Sequence, residues 1–163
     1  MRCWLPSLVG VLLVGWVGSA QERGKKAETV KLSADEKKLL DLTNAEREKE
    51  DLPPLKANAV LMKLARAHSE NMAKQQKLDH DLDCKTPFDR LREAEYDYQR
   101  AGENIAQSGE QAAPTDILML WLDSAPHRAN IMSESYTEIG LGIAKNENGE
   151  TYATQVFAKP LKR

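Results

Sequence analysis

Apolar residues recur at helical spacing through most of this chain and switch to strict alternation near its end, and the predicted elements follow from that change. Ser33-Ala34-Asp35-Glu36 reads as a capping box, with Ser33 capping and Glu36 reaching back. The helix behind it takes its apolar side from Leu39, Leu40 and Leu42, runs to about residue 49 and is stopped at Asp51-Leu52-Pro53-Pro54. Asn58 caps a second helix to about residue 77, with Leu61, Leu64, Ala65, His68 and Met72 at helical spacing. Thr86-Pro87 opens a third, short helix in which Phe88, Leu91 and Ala94 are expected to face inward. A fourth covers residues 116–122, opened by Pro114 or Thr115 and ended by Ser124-Ala125-Pro126, and residues 127–131 form one more short helical turn. Ile139, Leu141 and Ile143 then alternate with Gly140, Gly142 and Ala144, Asn148-Gly149 signals a turn, and Tyr152, Thr154, Val156 and Ala158 alternate with Ala153, Gln155 and Phe157. This predicts an antiparallel hairpin. The stretch around Gly102 reads as a loop heading for the interior. Helices first and strands last argue for the α+β class.

The ends of the chain change the picture of where it works. One basic residue, Arg2, precedes an uncharged run that closes on Gly18-Ser19-Ala20, the pattern of a secretory signal peptide over residues 1–20. Residues 21–32 read as a polar, flexible leader, and residues 33–163 as one domain. No other segment is apolar enough to span a bilayer, so no stable membrane span is expected after cleavage. The formal net charge is -2 and both signs are mixed, which argues against a nucleic-acid partner. Cleavage removes Cys3 and leaves Cys84 unpaired, so no intramolecular disulfide is expected in the mature chain; a buried thiol, an intermolecular bridge and a nucleophile all stay open for Cys84. The oligomeric state is open too.

Three polar islands sit inside otherwise core-like patterns, and each carries a group that is costly to bury without partners: His80, Glu103 and His127. His80 follows the second helix, His127 lies where the fourth helix breaks, and Glu103 needs donors or a cation such as a protonated histidine or a metal. Asn104 is expected to hold backbone groups, His68 to be a hydrogen-bonded core residue and Trp121 to be core or cleft wall. Ser124 lacks the strained context of an activated nucleophile. The histidine separations match no compact metal motif, so any site must be assembled by the fold.

The order of motifs resembles the CAP superfamily (also called SCP/PR-1-like or cysteine-rich secretory protein family) in its bacterial secreted form. The resemblance runs through Asn44 and Arg47 in LTNAER, Pro54-Leu55, Leu64 to Ala73 in LARAHSENMA, and His80. It continues through Gly102-Glu103-Asn104-Ile105-Ala106, Trp121, SAPHRANI from Ser124 to Ile131, Ile139-Gly140-Leu141-Gly142 and Thr154-Gln155-Val156-Phe157. It covers about residues 39–159, and the agreement in order and spacing makes it specific. It implies an α-β-α sandwich, a small antiparallel sheet between helical layers, with a cleft lined by histidines and acids that binds divalent metal in some members. His80, Glu103 and His127 match the cleft positions. The disulfides and the late histidine of plant and animal members are absent; Asp123 and Glu138 are both candidates for a fourth cleft group.

The expected function is therefore a secreted binding module whose His/Glu cleft takes a small ligand, a divalent cation such as zinc, or an extracellular or cell-wall partner. The candidate metal ligands are His80 and His127, with Glu103. One alternative is a metal-dependent hydrolase in which His80 and His127 hold zinc and Glu103 acts as base on bound water. Another is a structural or adhesion domain with a vestigial cleft. No nucleophile–base pair has local sequence support, so binding is favoured over catalysis.

Overall fold

The computed structural model describes residues 30–161. The expected signal peptide and most of the leader lie outside the described residues. The elements are α1 (Ala34–Glu48), β1 (Lys56–Ala57), α2 (Ala59–Gln75), α3 (Pro87–Glu93), β2 (Tyr98–Glu110), α4 (Pro114–Leu122), α5 (Ala125–Ile131), β3 (Glu138–Lys145) and β4 (Glu150–Pro160).

The caps form where the residues ask for them. The Ser33 hydroxyl accepts from the Glu36 amide, and the Glu36 carboxylate accepts from the Ser33 amide at 2.7 Å. Asn58 accepts from the amides of Val60 and Leu61. Thr86 and Asp89 build a second capping box at α3. At the end of α2, Gln76 takes the left-handed conformation (φ 52°), and its N–H bonds back to the last carbonyls. Glu36 also accepts two hydrogen bonds from the Arg66 guanidinium, at 2.6 and 2.7 Å, which ties the start of α1 to α2.

The sheet order is β1-β3-β4-β2. The predicted hairpin is β3–β4, and β2 adds antiparallel to the other side of β4. The two-residue β1 pairs parallel with β3, the one departure from an all-antiparallel sheet. β2 differs from the loop expected around Gly102: Tyr98–Glu110 is a 13-residue strand. The third helix is also turned relative to expectation. Leu91 is buried, but Phe88 is 50% exposed, and Arg90 takes the inward side beside Leu91 and Ala94.

Helices cover both faces of the sheet, so β4 is buried from Thr151 to Ala158. Its alternate residues serve different layers. Ala153 and Phe157 pack with Leu39 of α1, Trp121 of α4 and Ile131 of α5. Val156 and Ala158 pack with Leu61 and Ala65 of α2 and Leu91 of α3. This is the expected α-β-α sandwich. Its tightest contact lies between α2 and β3: a Cβ on Gly140 would stand 2.1 Å from the Leu61 carbonyl, and one on Gly142 2.2 Å from that of Ala65. The alternating glycines let the helix lie directly on the strand.

Polar residues of the family-like motifs lock the connections. Asn44 exchanges hydrogen bonds with the Leu55 carbonyl and amide at 3.1 and 2.8 Å. The buried Arg47 donates to the carbonyls of Pro53, Ile131 and Ser133. A single guanidinium thus replaces three interactions with water that these carbonyls lose on folding.

Candidate functional site

Glu103 is the centre of the site. Its partner across the sheet is Val156, so its side chain lies on the α2/α3 face, where it is only 2% exposed. A carboxylate in that position needs cations. Arg90 Nη2 donates to one oxygen at 2.6 Å, and His80 Nδ1 stands 2.8 Å from the other. His68 Nε2 is 3.8 Å from the oxygen that His80 bonds. Arg90 does a second job: its Nη1 donates to the backbone carbonyls of His80 at 2.9 Å and Lys85 at 3.1 Å. One guanidinium therefore holds both the backbone of His80 and the carboxylate that orients its ring. The His80 side chain itself remains 44% exposed.

His127 reaches the site from the other face. Asn104, one residue on from Glu103, pairs with Gln155 and points to the α1/α4/α5 layer. Its Nδ2 donates to the His127 carbonyl at 3.0 Å and to Gln155 Oε1 at 3.1 Å, and Gln155 Nε2 continues to Thr43 Oγ1. Asn130 donates to Asn104 Oδ1 and to the Glu103 carbonyl. These bonds seat α5 against β2, so Asn104 is the structural residue the sequence suggests. The three expected site residues thus gather around β2, with direct contact only between His80 and Glu103. The Nδ1 of His127 is buried without a hydrogen-bond partner.

The electrostatics separate the three histidines. The hydrogen bond to Glu103 pushes the His80 pKa up, and outweighs the opposing effects of burial and of Arg90. Burial pushes His68 down, against the attraction of Glu103, and the Asp79 backbone hydrogen-bonds its ring. Burial also lowers His127, helped by the charge on His80, so the two rings sense one another.

Arg90 is the functional residue that sequence reasoning missed. The need of Glu103 for a cation was legible, but the apolar spacing of Phe88, Leu91 and Ala94 hid which side of the short helix faces in. His68 is buried as expected, yet its Nε2 has no hydrogen-bond partner. Glu138 is engaged elsewhere: it accepts from Tyr96 at 2.6 Å and Asn58 at 2.7 Å. Asp123 is exposed at the end of α4, Ser124 stands at the α4–α5 junction and Trp121 is core. Cys84 is exposed, not buried, in a turn with φ 58°.

Among the described residues, no group of three or more His, Cys, Asp or Glu side chains is arranged to hold a metal. Both Glu103 oxygens and His80 Nδ1 are already engaged, which leaves His80 Nε2 uncommitted; a cation held there would need further ligands from outside this cluster. A groove of about 430 Å³ between α2 and α3 lies behind the site, with His68 and Arg90 among its walls.

This architecture has known relatives. Protein YkwD of Bacillus subtilis, itself described as uncharacterized, is 39% identical over 129 residues, covering 78% of this chain and 49% of its own length. The chain thus spans about half of that relative. An extracellular SCP-domain protein from Bacillus anthracis is 29% identical with a TM-score of 0.66, over 80% of this chain and 45% of that one. An outer surface protein of Borrelia burgdorferi shares the fold at 20% identity and a TM-score of 0.73, over 81% of this chain and 97% of that one. The sequence profile of the cysteine-rich secretory protein family, CAP, matches residues 40–157. The chain belongs to the CAP family.

Proposed function

We propose that this chain is a secreted recognition domain in which the imidazole of His80, with His127 across β2, binds a small ligand, a divalent cation or a group on an extracellular or cell-wall partner without turning it over. One observation carries this reading: Glu103 is spent. A hydrolase would need its carboxylate to take a proton from bound water, but Arg90 and His80 occupy its two oxygens at 2.6 and 2.8 Å. The exposed ring of His80 is the group the arrangement offers to solvent. A carboxylate behind the imidazole fixes its tautomer and strengthens the other nitrogen as a ligand or acceptor. His80, with His127, would hold a zinc ion, which would supply Lewis acidity toward a ligand's lone-pair donors. The signal-peptide pattern of residues 1–20 and the extracellular description of the Bacillus anthracis protein support secretion.

Calorimetric titration with zinc, in parallel with the His80→Ala/His127→Ala double variant, tests the cation arm. Binding lost in the variant supports it, and equal heats in both proteins remove it. Ester and peptide hydrolysis assays with zinc test recognition against catalysis. No turnover is expected, and zinc-dependent turnover abolished by Glu103→Gln would replace this reading with the hydrolase.

A further inference from the structure

Asparagine is a reactive side chain as well as a polar one. The amide nitrogen of the next residue can attack its carboxamide, and a glycine in that next place leaves the nitrogen least shielded and the backbone most free to bring it in. Asn44, Asn58, Asn71, Asn104, Asn130 and Asn146 are each held through their carboxamides by hydrogen bonds, and a residue with a side chain follows every one of them. Asn148 differs on both counts. It is exposed, its carboxamide has no hydrogen-bond partner among the described residues, and Gly149 follows it.

The turn that carries Asn148 joins β3 to β4, and Asn146 latches it. Asn146 Oδ1 accepts from the amides of Asn148 at 3.0 Å and Glu150 at 2.9 Å, and its Nδ2 donates to the Glu150 carboxylate. Its backbone carbonyl accepts from the Gly149 amide at 3.0 Å. Gly149 takes φ 82°, a left-handed conformation open to glycine. A Cβ built there would come no nearer than 3.5 Å to its closest neighbour, Glu110 Cγ, so nothing crowds the position. The nitrogen that would attack is the one the Asn146 carbonyl holds, so the reaction proceeds from openings of the turn.

We propose that Asn148 is a modification site, where the turn converts itself to isoaspartate and aspartate and thereby loosens the β3–β4 end of the sheet. Gly149 N bonds to Asn148 Cγ as the Cγ–Nδ2 bond breaks, and the amide proton of Gly149 leaves with Nδ2 as ammonia. Water then opens the cyclic imide. Opening at the main-chain carbonyl carbon gives isoaspartate, with the chain rerouted through Cγ, and opening at Cγ gives aspartate. Water is the sole co-reactant, and nothing is oxidised or reduced. The product sets a new carboxylate between Glu147 and Glu150, with Glu110 opposite Glu150 in the strand register. Isoaspartate also adds a methylene to the main chain inside the Asn146 latch. The test is incubation of the purified protein at mildly alkaline pH in oxygen-18 water, with peptide mapping by mass spectrometry. Label is expected at Asn148 before any other asparagine, and more slowly than in a synthetic peptide of residues 143–152. Asn148→Gln is expected to stay unlabelled at that position. In the isoaspartate form, separated by ion exchange, the Glu150 amide is expected to lose protection from hydrogen exchange. No label at Asn148 by the time the peptide has converted, earlier labelling of another asparagine, or unchanged protection at Glu150 would each overturn the proposal.

Discussion

Arg90 and Glu103 show why a buried charge pair is a weak source of net stability and a strong determinant of geometry. Removing both charges from water costs roughly what their attraction returns, so the pair adds little overall. Removing one partner alone leaves a buried charge uncompensated. Arg90→Met is therefore expected to lower unfolding stability by about 3–5 kcal/mol, read as a fall in the urea midpoint with an unchanged slope. A loss under about 1 kcal/mol would mean that water or the His80 imidazole compensates Glu103 without the guanidinium, and that Arg90 is not its principal counter-charge. The need for this pair was partly legible from sequence. Glu103 in an apolar stretch required a cation, with a protonated histidine or a metal as the open choices, and Arg90 and the His80 imidazole stand at its two oxygens. Arg90 was hidden because a seven-residue helix offers too few apolar positions to define its inward side, and Phe88 drew the assignment away from the guanidinium.

Helices were the most legible elements because their ends carry chemistry as well as spacing. Ser33 with Glu36, Asn58, and Thr86-Pro87 mark three starts, and each side chain makes the cap bond its type predicts. The hairpin announced itself through alternation and Asn148-Gly149. β2 did not, because Glu103 and Asn104 stand beside Ile105 and Ala106 among its buried positions and break the apolar alternation. Glu103 is met by Arg90 and histidines, and Asn104 by Gln155 and Asn130, so its burial is satisfied by partners that no window along the strand contains. The cap at Glu36 also makes a pH prediction. Burial alone would raise this carboxyl, but the hydrogen bonds from Arg66 and Ser33 prevail and leave its pKa lowered. A lowered pKa means that the unfolded chain binds the proton first. The contribution is then fully present above the unfolded value of about 4.3 and is lost as the pH falls through the folded value. Urea midpoints measured between pH 6 and 3 are expected to fall less steeply in Glu36→Gln than in the unsubstituted protein. Parallel slopes would show that the Arg66 pair does not persist in solution.

At the scale of the whole molecule, the sandwich brings two faces of one sheet to a shared edge. Glu103 and Asn104 are neighbours on β2 but face opposite layers. The first fixes the turn carrying His80, the second the helix carrying His127. Within the family-like motifs, Glu103, with Arg90, seats the turn carrying His80, Asn104 and Asn130 seat the helix carrying His127, and the ring of His80 stays partly exposed. The central claim is that Glu103 holds His80 by its Nδ1. Long-range nitrogen–proton NMR of the histidine rings, at a pH above the raised pKa of His80, reads this directly. The neutral His80 ring is expected to carry its proton on Nδ1, and to lose that preference in Glu103→Gln. A His80 ring protonated mainly on Nε2 in the unsubstituted protein, or a tautomer indifferent to Glu103→Gln, would contradict the account.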